Sequence, residues 1–283
     1  MMSEYNTKEL LAKYQITAKK KWGQNFISDS QLIKKMVKLS LIASDTTVIE
    51  IGPGLGILTA ALAEVAKKVI AFEIDKQLVS VLKERFKDEA KVEIVAADFL
   101  EVDLSEYLPK INSGKVVVCA NLPYYITTPI LFKLFDSPLD IQHLSVMLQK
   151  EVGKRFSATV NSKDYNALSV ITAFKYSTKV IMQLPKEVFF PRPKVDSVVL
   201  LFSKKKETVM LDETALFQLV KTCFKYRRKT IYNNYREVLG DEAAKLILEK
   251  AEIGLNQRAQ ELSLAQYLQL YEVQCGYKSL RQD

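Results

Sequence analysis

The sequence predicts an α/β protein, an open and mostly parallel sheet followed by a small helical domain, and three observations carry that expectation. Val48-Ile49-Glu50-Ile51 runs without a gap into Gly52-Pro53-Gly54-Leu55-Gly56 and then Ile57-Leu58-Thr59-Ala60-Ala61-Leu62, a strand, a glycine loop and a helix in succession. Further apolar runs of strand length end at Glu73, Asp98 and Asn121, polar residues at the strand ends where open α/β sheets bind ligands. After Lys204-Lys205-Lys206 the pattern turns helical over residues 215–238, 243–251 and 264–273, which sets two domains, 1–206 and 207–283.

The glycine loop is the first element with chemical content. Glycines at alternate positions let the backbone turn sharply and approach a ligand where a Cβ would collide. The helix behind the loop turns its free N–H groups toward that ligand. Counting from Gly52 or Gly54 puts Ile57 or Thr59 where a dinucleotide fingerprint needs its third glycine, which weakens a nicotinamide reading. Gly-x-Gly-x-Gly after an acidic strand residue is instead the pattern of S-adenosylmethionine enzymes.

The next strand, Val69 to Asp75, carries Glu73 near its end, where a carboxylate accepts hydrogen bonds from both hydroxyls of a ribose. Glu73 is preferred to Asp75 because it lies closer to the apolar run. The strand Val92-Glu93-Ile94-Val95-Ala96-Ala97 ends at Asp98-Phe99, an acceptor for an adenine amino group with a ring beside it. Val116-Val117-Val118-Cys119-Ala120 reads as a buried parallel strand and runs into Asn121-Leu122-Pro123-Tyr124. That quartet offers a side-chain carbonyl, backbone carbonyls at a proline turn and a flat ring, a set suited to a planar base with an exocyclic amine. Residues 197–202 form the last strand expected.

Composition narrows the function classes. The chain has 283 residues, enough for one large and one small domain, and 48% of them are hydrophobic. No apolar stretch follows a basic N-terminal region, and the uncharged run 116–132 is broken by Asn121, Pro123 and Pro129, so neither a signal peptide nor a membrane span is expected. Cys119, Cys223 and Cys275 form no paired spacing and are expected as reduced thiols in a cytoplasmic protein. With His143 as the one histidine, expected in a structural role, histidine triads and histidine metal sites are excluded, and no metal is expected.

The net charge of +8 is concentrated: residues 186–236 hold twelve Lys or Arg against five Asp or Glu. Lys221, Lys225 and Arg228 recur at helical spacing opposite Phe217, Val220 and Phe224, which predicts a basic helix face for a phosphate backbone.

From about Lys19 to Tyr235 the chain resembles the ribosomal RNA adenine dimethyltransferases, closest to the bacterial small-subunit enzymes. The resemblance is carried by Gly23-Gln24-Asn25-Phe26, the glycine loop, Asn121-Leu122-Pro123-Tyr124 with Thr127-Thr128-Pro129, the segment Phe189-Phe190-Pro191-Arg192-Pro193-Lys194-Val195-Asp196-Ser197, and Arg227-Arg228-Lys229-Thr230. Leu122 stands where glutamine and DNA-adenine methylases usually carry a second proline.

What the resemblance implies is a class I, Rossmann-like methyltransferase sheet of seven strands with a reversed last strand, a helical C-terminal domain, and S-adenosylmethionine as methyl donor. It also implies dimethylation of two adjacent adenosines near the 3′ end of 16S rRNA in the small ribosomal subunit, by a protein expected to be monomeric. Asn25 and Ile27 would line the methionine end of the cofactor, and Gly52 would approach it through its backbone. Asn121 and the Leu122 carbonyl would hold the reacting amine, and Tyr124 one face of the base. Phe189 is assigned the other face, in preference to Phe190, because its spacing from Pro191 matches.

The chain departs from the family at Tyr125, where Asn is common, and at Trp22, where a small aliphatic residue is common. The alternatives are a resistance methylase of 23S rRNA and a non-catalytic RNA-binding or transcription factor of the same fold. Thr128-Pro129 and the retained Gly52, Glu73, Asp98 and Asn121 weigh against them.

Overall fold

The computed structural model describes residues 7–19, 23–111, 115–205 and 211–279, so Lys20, Lys21, Trp22 and Lys206 lie outside the described residues. Among the described residues nine strands follow in chain order: β1 (Phe26–Ile27), β2 (Thr47–Ile51), β3 (Lys68–Glu73), β4 (Val92–Ala96), β5 (Val116–Asn121), β6 (Ile141–Gln149), β7 (Tyr176–Leu184), β8 (Phe189–Phe190) and β9 (Ser197–Lys204). Seven of them form one sheet in the order β4-β3-β2-β5-β6-β9-β7, and β1 pairs with β8 in a separate two-stranded ribbon.

Pairing from β4 through β6 is parallel, whereas β9 runs antiparallel to β6. The parallel strands are apolar without alternation because both faces are covered: Val48, Val69, Ile70 and Val118 are fully buried. From β2 the chain builds outward to β3 and β4 on one side, and then returns to place β5 and β6 on the other. The crevice above this reversal, between β2 and β5, is the switch point at which such sheets bind ligands.

The chain divides into two compact units, Met1–Gly153 with Lys179–Lys204, and Lys154–Thr178 with Lys205–Asp283. This differs from the division at 206 expected above, because the segment 154–178 groups with the C-terminal helices. The reason is side-chain packing that no local pattern reveals. The helix Ala167–Lys175 sets Phe174 edge-on to Phe217, with ring centroids 6.0 Å apart, and Lys175 pairs with Glu213 at 2.7 Å. Tyr165 donates its hydroxyl hydrogen bond to the Leu262 carbonyl at 3.0 Å.

Within the second unit the expected long helix over 215–238 is two helices, Glu213–Cys223 and Ile231–Leu239, separated by a turn. Asn234, fully buried, makes the break. Its amide nitrogen donates to the carbonyls of Cys223 and Tyr226 at 2.7 and 3.3 Å, and its oxygen accepts from the Tyr226 N–H at 3.1 Å. Those bonds satisfy backbone groups that a continuous helix would have paired internally. No helix among the described residues is long and apolar enough to cross a membrane.

Candidate active site

The carboxyl ends of β2, β3 and β5 and the loop before β1 enclose one open cavity with about 1050 Å³ of non-atom space, its mouth included. Eight of the residues expected to bind cofactor or base line it: Asn25, Ile27, Gly52, Glu73, Asp98, Asn121, Leu122 and Tyr124. The loop after β2 turns at left-handed glycines, Gly52 (φ +68°), Gly54 (φ +60°) and Gly56 (φ +76°). A Cβ at Gly54 would stand 2.9 Å from the Phe26 ring, and at Gly56 2.7 Å from the Phe86 ring, so the loop is packed as well as bent.

Glu73 closes β3, is buried to 5% exposure, and accepts from the N–H groups of Gly54 (3.1 Å) and Asp75 (2.9 Å). Burial raises its carboxyl above the usual range, and those backbone donors offset part of the effect. Asp75 has a different task. It caps the helix Lys76–Arg85 and accepts from Lys19 Nζ at 2.8 Å and Gln24 Nε2 at 3.1 Å. Burial pushes its carboxyl up, but these donors prevail and hold it below the usual value.

Asp98 follows β4 and accepts from the Leu100 N–H at 2.9 Å, while Phe99 is buried edge-on to Phe72 at 5.4 Å.

The amide of Asn121 is oriented by the N-terminal segment. Its nitrogen donates to the Asn25 carbonyl at 3.1 Å, which fixes the flip and leaves the side-chain oxygen as an acceptor. Asn25 in turn donates to the Gly23 carbonyl at 2.9 Å. The turn after Asn121 places its own hydrogen bonds on the Pro123 carbonyl, from the Ile126 N–H and the Thr127 hydroxyl, and not on that of Leu122. Tyr124 shares a 2.8 Å hydrogen bond with the Ser197 hydroxyl, and burial raises its own hydroxyl above the ordinary value. The antiparallel run of β9 brings Ser197 opposite Gln149 at the end of β6, within reach of that ring.

Phe189 was expected as the second face for the target base. It does not line the cavity: it is buried at 3% exposure in an apolar cluster with Ile27, Ile33 and Met36. Pairing of β8 with β1 sets Phe189 against Ile27, and the alternation of a strand then turns Phe190 outward, where it is 42% exposed.

The basic residues are also placed differently from the expected stripe. Lys221 lies on the helix Glu213–Cys223, whereas Lys225 and Arg228 lie in the turn beyond it; all three are exposed. Lys225 pairs with Glu237 at 3.0 Å, and Lys229 with the same carboxylate at 3.2 Å. His143 meets Ser203 at 3.2 Å in the sheet, and burial lowers its pKa.

Sequence reasoning missed Glu50, although it flagged an acid before the glycine loop. Glu50 lines the cavity at 1% exposure, and its Oε2 has no hydrogen-bond partner among the described residues. Two acids and an amide carbonyl beside a glycine turn, over a buried carboxyl with an unpaired oxygen among the described residues, form a polar set that seeks hydrogen-bond partners. It fits a cofactor carrying ribose hydroxyls, an adenine amine and positive charge, as S-adenosylmethionine does.

A sheet of this topology with this cavity at its switch point defines a class I, Rossmann-like methyltransferase. The chain belongs to the ribosomal RNA adenine dimethylase family, whose family model matches residues 15–274. It is 41% identical over 274 residues to the ribosomal RNA small subunit methyltransferase A of Staphylococcus carnosus (strain TM300), covering 94% of this chain and 93% of that protein.

Among solved structures, a dimethyladenosine transferase from Plasmodium falciparum superposes with a TM-score of 0.77 at 24% identity, covering 87% of this chain and 95% of that one. The 23S rRNA methyltransferase ErmE superposes with a TM-score of 0.68 at 23% identity, covering 88% and 98%. These two likenesses establish the fold.

Proposed function

We propose that this protein transfers methyl groups from S-adenosylmethionine to the N6 amines of two adjacent adenosines near the 3′ end of 16S rRNA, giving N6,N6-dimethyladenosine in the small ribosomal subunit. The observation that carries the reading is the Asn121 amide, pinned through its nitrogen by the Asn25 carbonyl so that its oxygen is left for a ligand. An adenine amine is a weak nucleophile because its lone pair is delocalised into the ring. Acceptance of its two N–H bonds by the Asn121 side-chain oxygen and the Leu122 carbonyl favours a pyramidal nitrogen and aims the lone pair.

The cofactor supplies an activated sulfonium methyl. The amine lone pair would take that methyl, with the C–S electrons left on sulfur and the surplus proton passing to water. Catalysis is then positioning and preorganised electrostatics, with no strong base required.

Glu73 receives the ribose, Asp98 the adenine amine of the cofactor, and Asn25, Ile27 and Gly52 the methionine end. Tyr124, with its hydroxyl held by Ser197, presents a fixed face to a target base withdrawn from its stack. Phe189 acts from behind, as packing for β1 and so for Asn25. Lys221, Lys225 and Arg228 contact phosphates, and Lys225 also pairs with Glu237.

The test is incubation with unmodified small and large ribosomal subunits and S-adenosylmethionine, followed by mass spectrometry of the nucleosides. Dimethyladenosine in small-subunit RNA alone is expected. Methylation confined to the large subunit, or none, would overturn the proposal.

A further inference from the structure

Tyr125 stands in the turn after Asn121-Leu122-Pro123-Tyr124, yet neither the chemistry above nor the packing of the sheet uses it. It lines the cavity and is 52% exposed. The Ile126 N–H and Thr127 hydroxyl both bond to the Pro123 carbonyl, so the turn that carries the ring is held from both sides. One edge of the ring rests on Gly23: a Cβ built there would lie 3.4 Å from Cδ1 and 3.9 Å from Cε1. Gly23 has φ +58° and its carbonyl accepts from Asn25, so the surface under the ring is itself fixed.

Tyr125 lines the same cavity as Glu73 and Asp98, the acids of the cofactor end. Burial raises the Tyr125 hydroxyl above its ordinary value, and the negative charges of Asp98 and Glu73 raise it further, which puts the phenol within electrostatic reach of both carboxylates. No described residue hydrogen-bonds that hydroxyl. An exposed aromatic ring held at its base and, among the described residues, unpartnered at its tip, at the rim of an apolar cavity, has surface available for a ligand.

We infer that Tyr125 is a further binding residue of this site, its ring covering the ribose end of the bound cofactor and slowing the exchange of S-adenosylmethionine for S-adenosylhomocysteine. The inference rests on the methyltransferase reading. The ring contributes contact area to the ligand and excludes water from the carboxylate–hydroxyl hydrogen bonds at Glu73, which strengthens them. Covering acts on the ribose that donor and product share, so both ligands are retained alike.

The experiment is a chase. Protein loaded with radiolabelled S-adenosylmethionine, and separately with labelled S-adenosylhomocysteine, is mixed with excess unlabelled ligand, and dissociation is followed for the unaltered protein, Tyr125→Ala and Tyr125→Phe. Tyr125→Ala is expected to release both ligands roughly fivefold to tenfold faster, and Tyr125→Phe at nearly the original rate. Thermal unfolding of both variants should match the unaltered protein, since the side chain is half exposed.

Unchanged release from a folded Tyr125→Ala overturns the inference alone. Equal acceleration in Tyr125→Phe assigns the effect to the hydroxyl and also overturns the ring cover. Failure of the unaltered protein to bind either ligand overturns the methyltransferase reading, and this inference with it.

Discussion

Replacing Glu50 by Gln tests whether the floor of the cavity holds a neutral acid. Burial pushes this carboxyl from 4.5 up to about 8; the Thr59 hydroxyl offsets a part, and the Glu73 charge adds to the rise. Below about pH 4 both folded and unfolded chains hold the proton. Between the unfolded value of 4.5 and the folded value of about 8, only the folded chain does. Stability contributed by this group therefore falls as pH rises through that window and levels off above it.

At about 1.4 kcal/mol per pH unit, the folded protein loses up to about 4 kcal/mol between pH 5 and pH 8 on account of Glu50. Glu50→Gln keeps the shape of the protonated acid and removes that slope, while every other titrating group contributes equally to both proteins. Urea unfolding followed by circular dichroism at pH 5, 6.5 and 8 measures the difference. The variant should gain on the unaltered protein as pH rises. Parallel pH profiles for the two would refute a proton held on Glu50 in the folded protein.

Glu73→Ala and Asp98→Ala should each weaken S-adenosylmethionine binding by about 1.5–3 kcal/mol, the range for hydrogen bonds to charged groups, and calorimetry decides it. Tyr124→Phe should unfold at lower urea, by about 0.5–1.5 kcal/mol, because the buried Ser197 hydroxyl loses its partner; equal midpoints would argue that the ring is held by packing alone. Charge reversal at Lys221, Lys225 and Arg228 should flatten the salt dependence of RNA binding by roughly 0.7–0.9 for each phosphate no longer neutralised. Filter binding across a salt series reads the slopes, and an unchanged slope would leave those residues as a solvated face.

The parts of this fold that were legible in the chain are those governed by short-range rules. Buried parallel strands must be apolar on both faces, so β2, β3 and β5 stand out, and the residues that end them inherit a predictable place at the rim of the sheet. Glycines at alternate positions marked a sharp turn, and Gly52, Gly54 and Gly56 make it with left-handed φ.

What was not legible depends on partners distant in sequence. Phe189 and Phe190 are equivalent in the chain, and only pairing with β1 decides which ring is buried. The break after Cys223 carries no glycine or proline, since its signal is a buried Asn234 that elsewhere would pass as a helix surface residue. Lys225 matched a helical stripe until Glu237, from the next helix, claimed its charge. Asp75 was passed over in favour of Glu73 for its position. Its use as the acceptor for Lys19 and Gln24 emerges only when the N-terminal segment lies over β3.

The central claim, that the Asn121 amide acts on the reacting nitrogen, is tested most directly by single-turnover methylation of immature small ribosomal subunits with Asn121→Ala. The variant should fold, bind the subunit and lose only modest cofactor affinity, because the side-chain hydrogen bond it gives up within the protein is the one to the Asn25 carbonyl. Methyl transfer should slow by ~10²-fold or more, the loss expected for one preorganised transition-state hydrogen bond. Near-normal transfer by Asn121→Ala would contradict the mechanism, even with dimethyladenosine as the product.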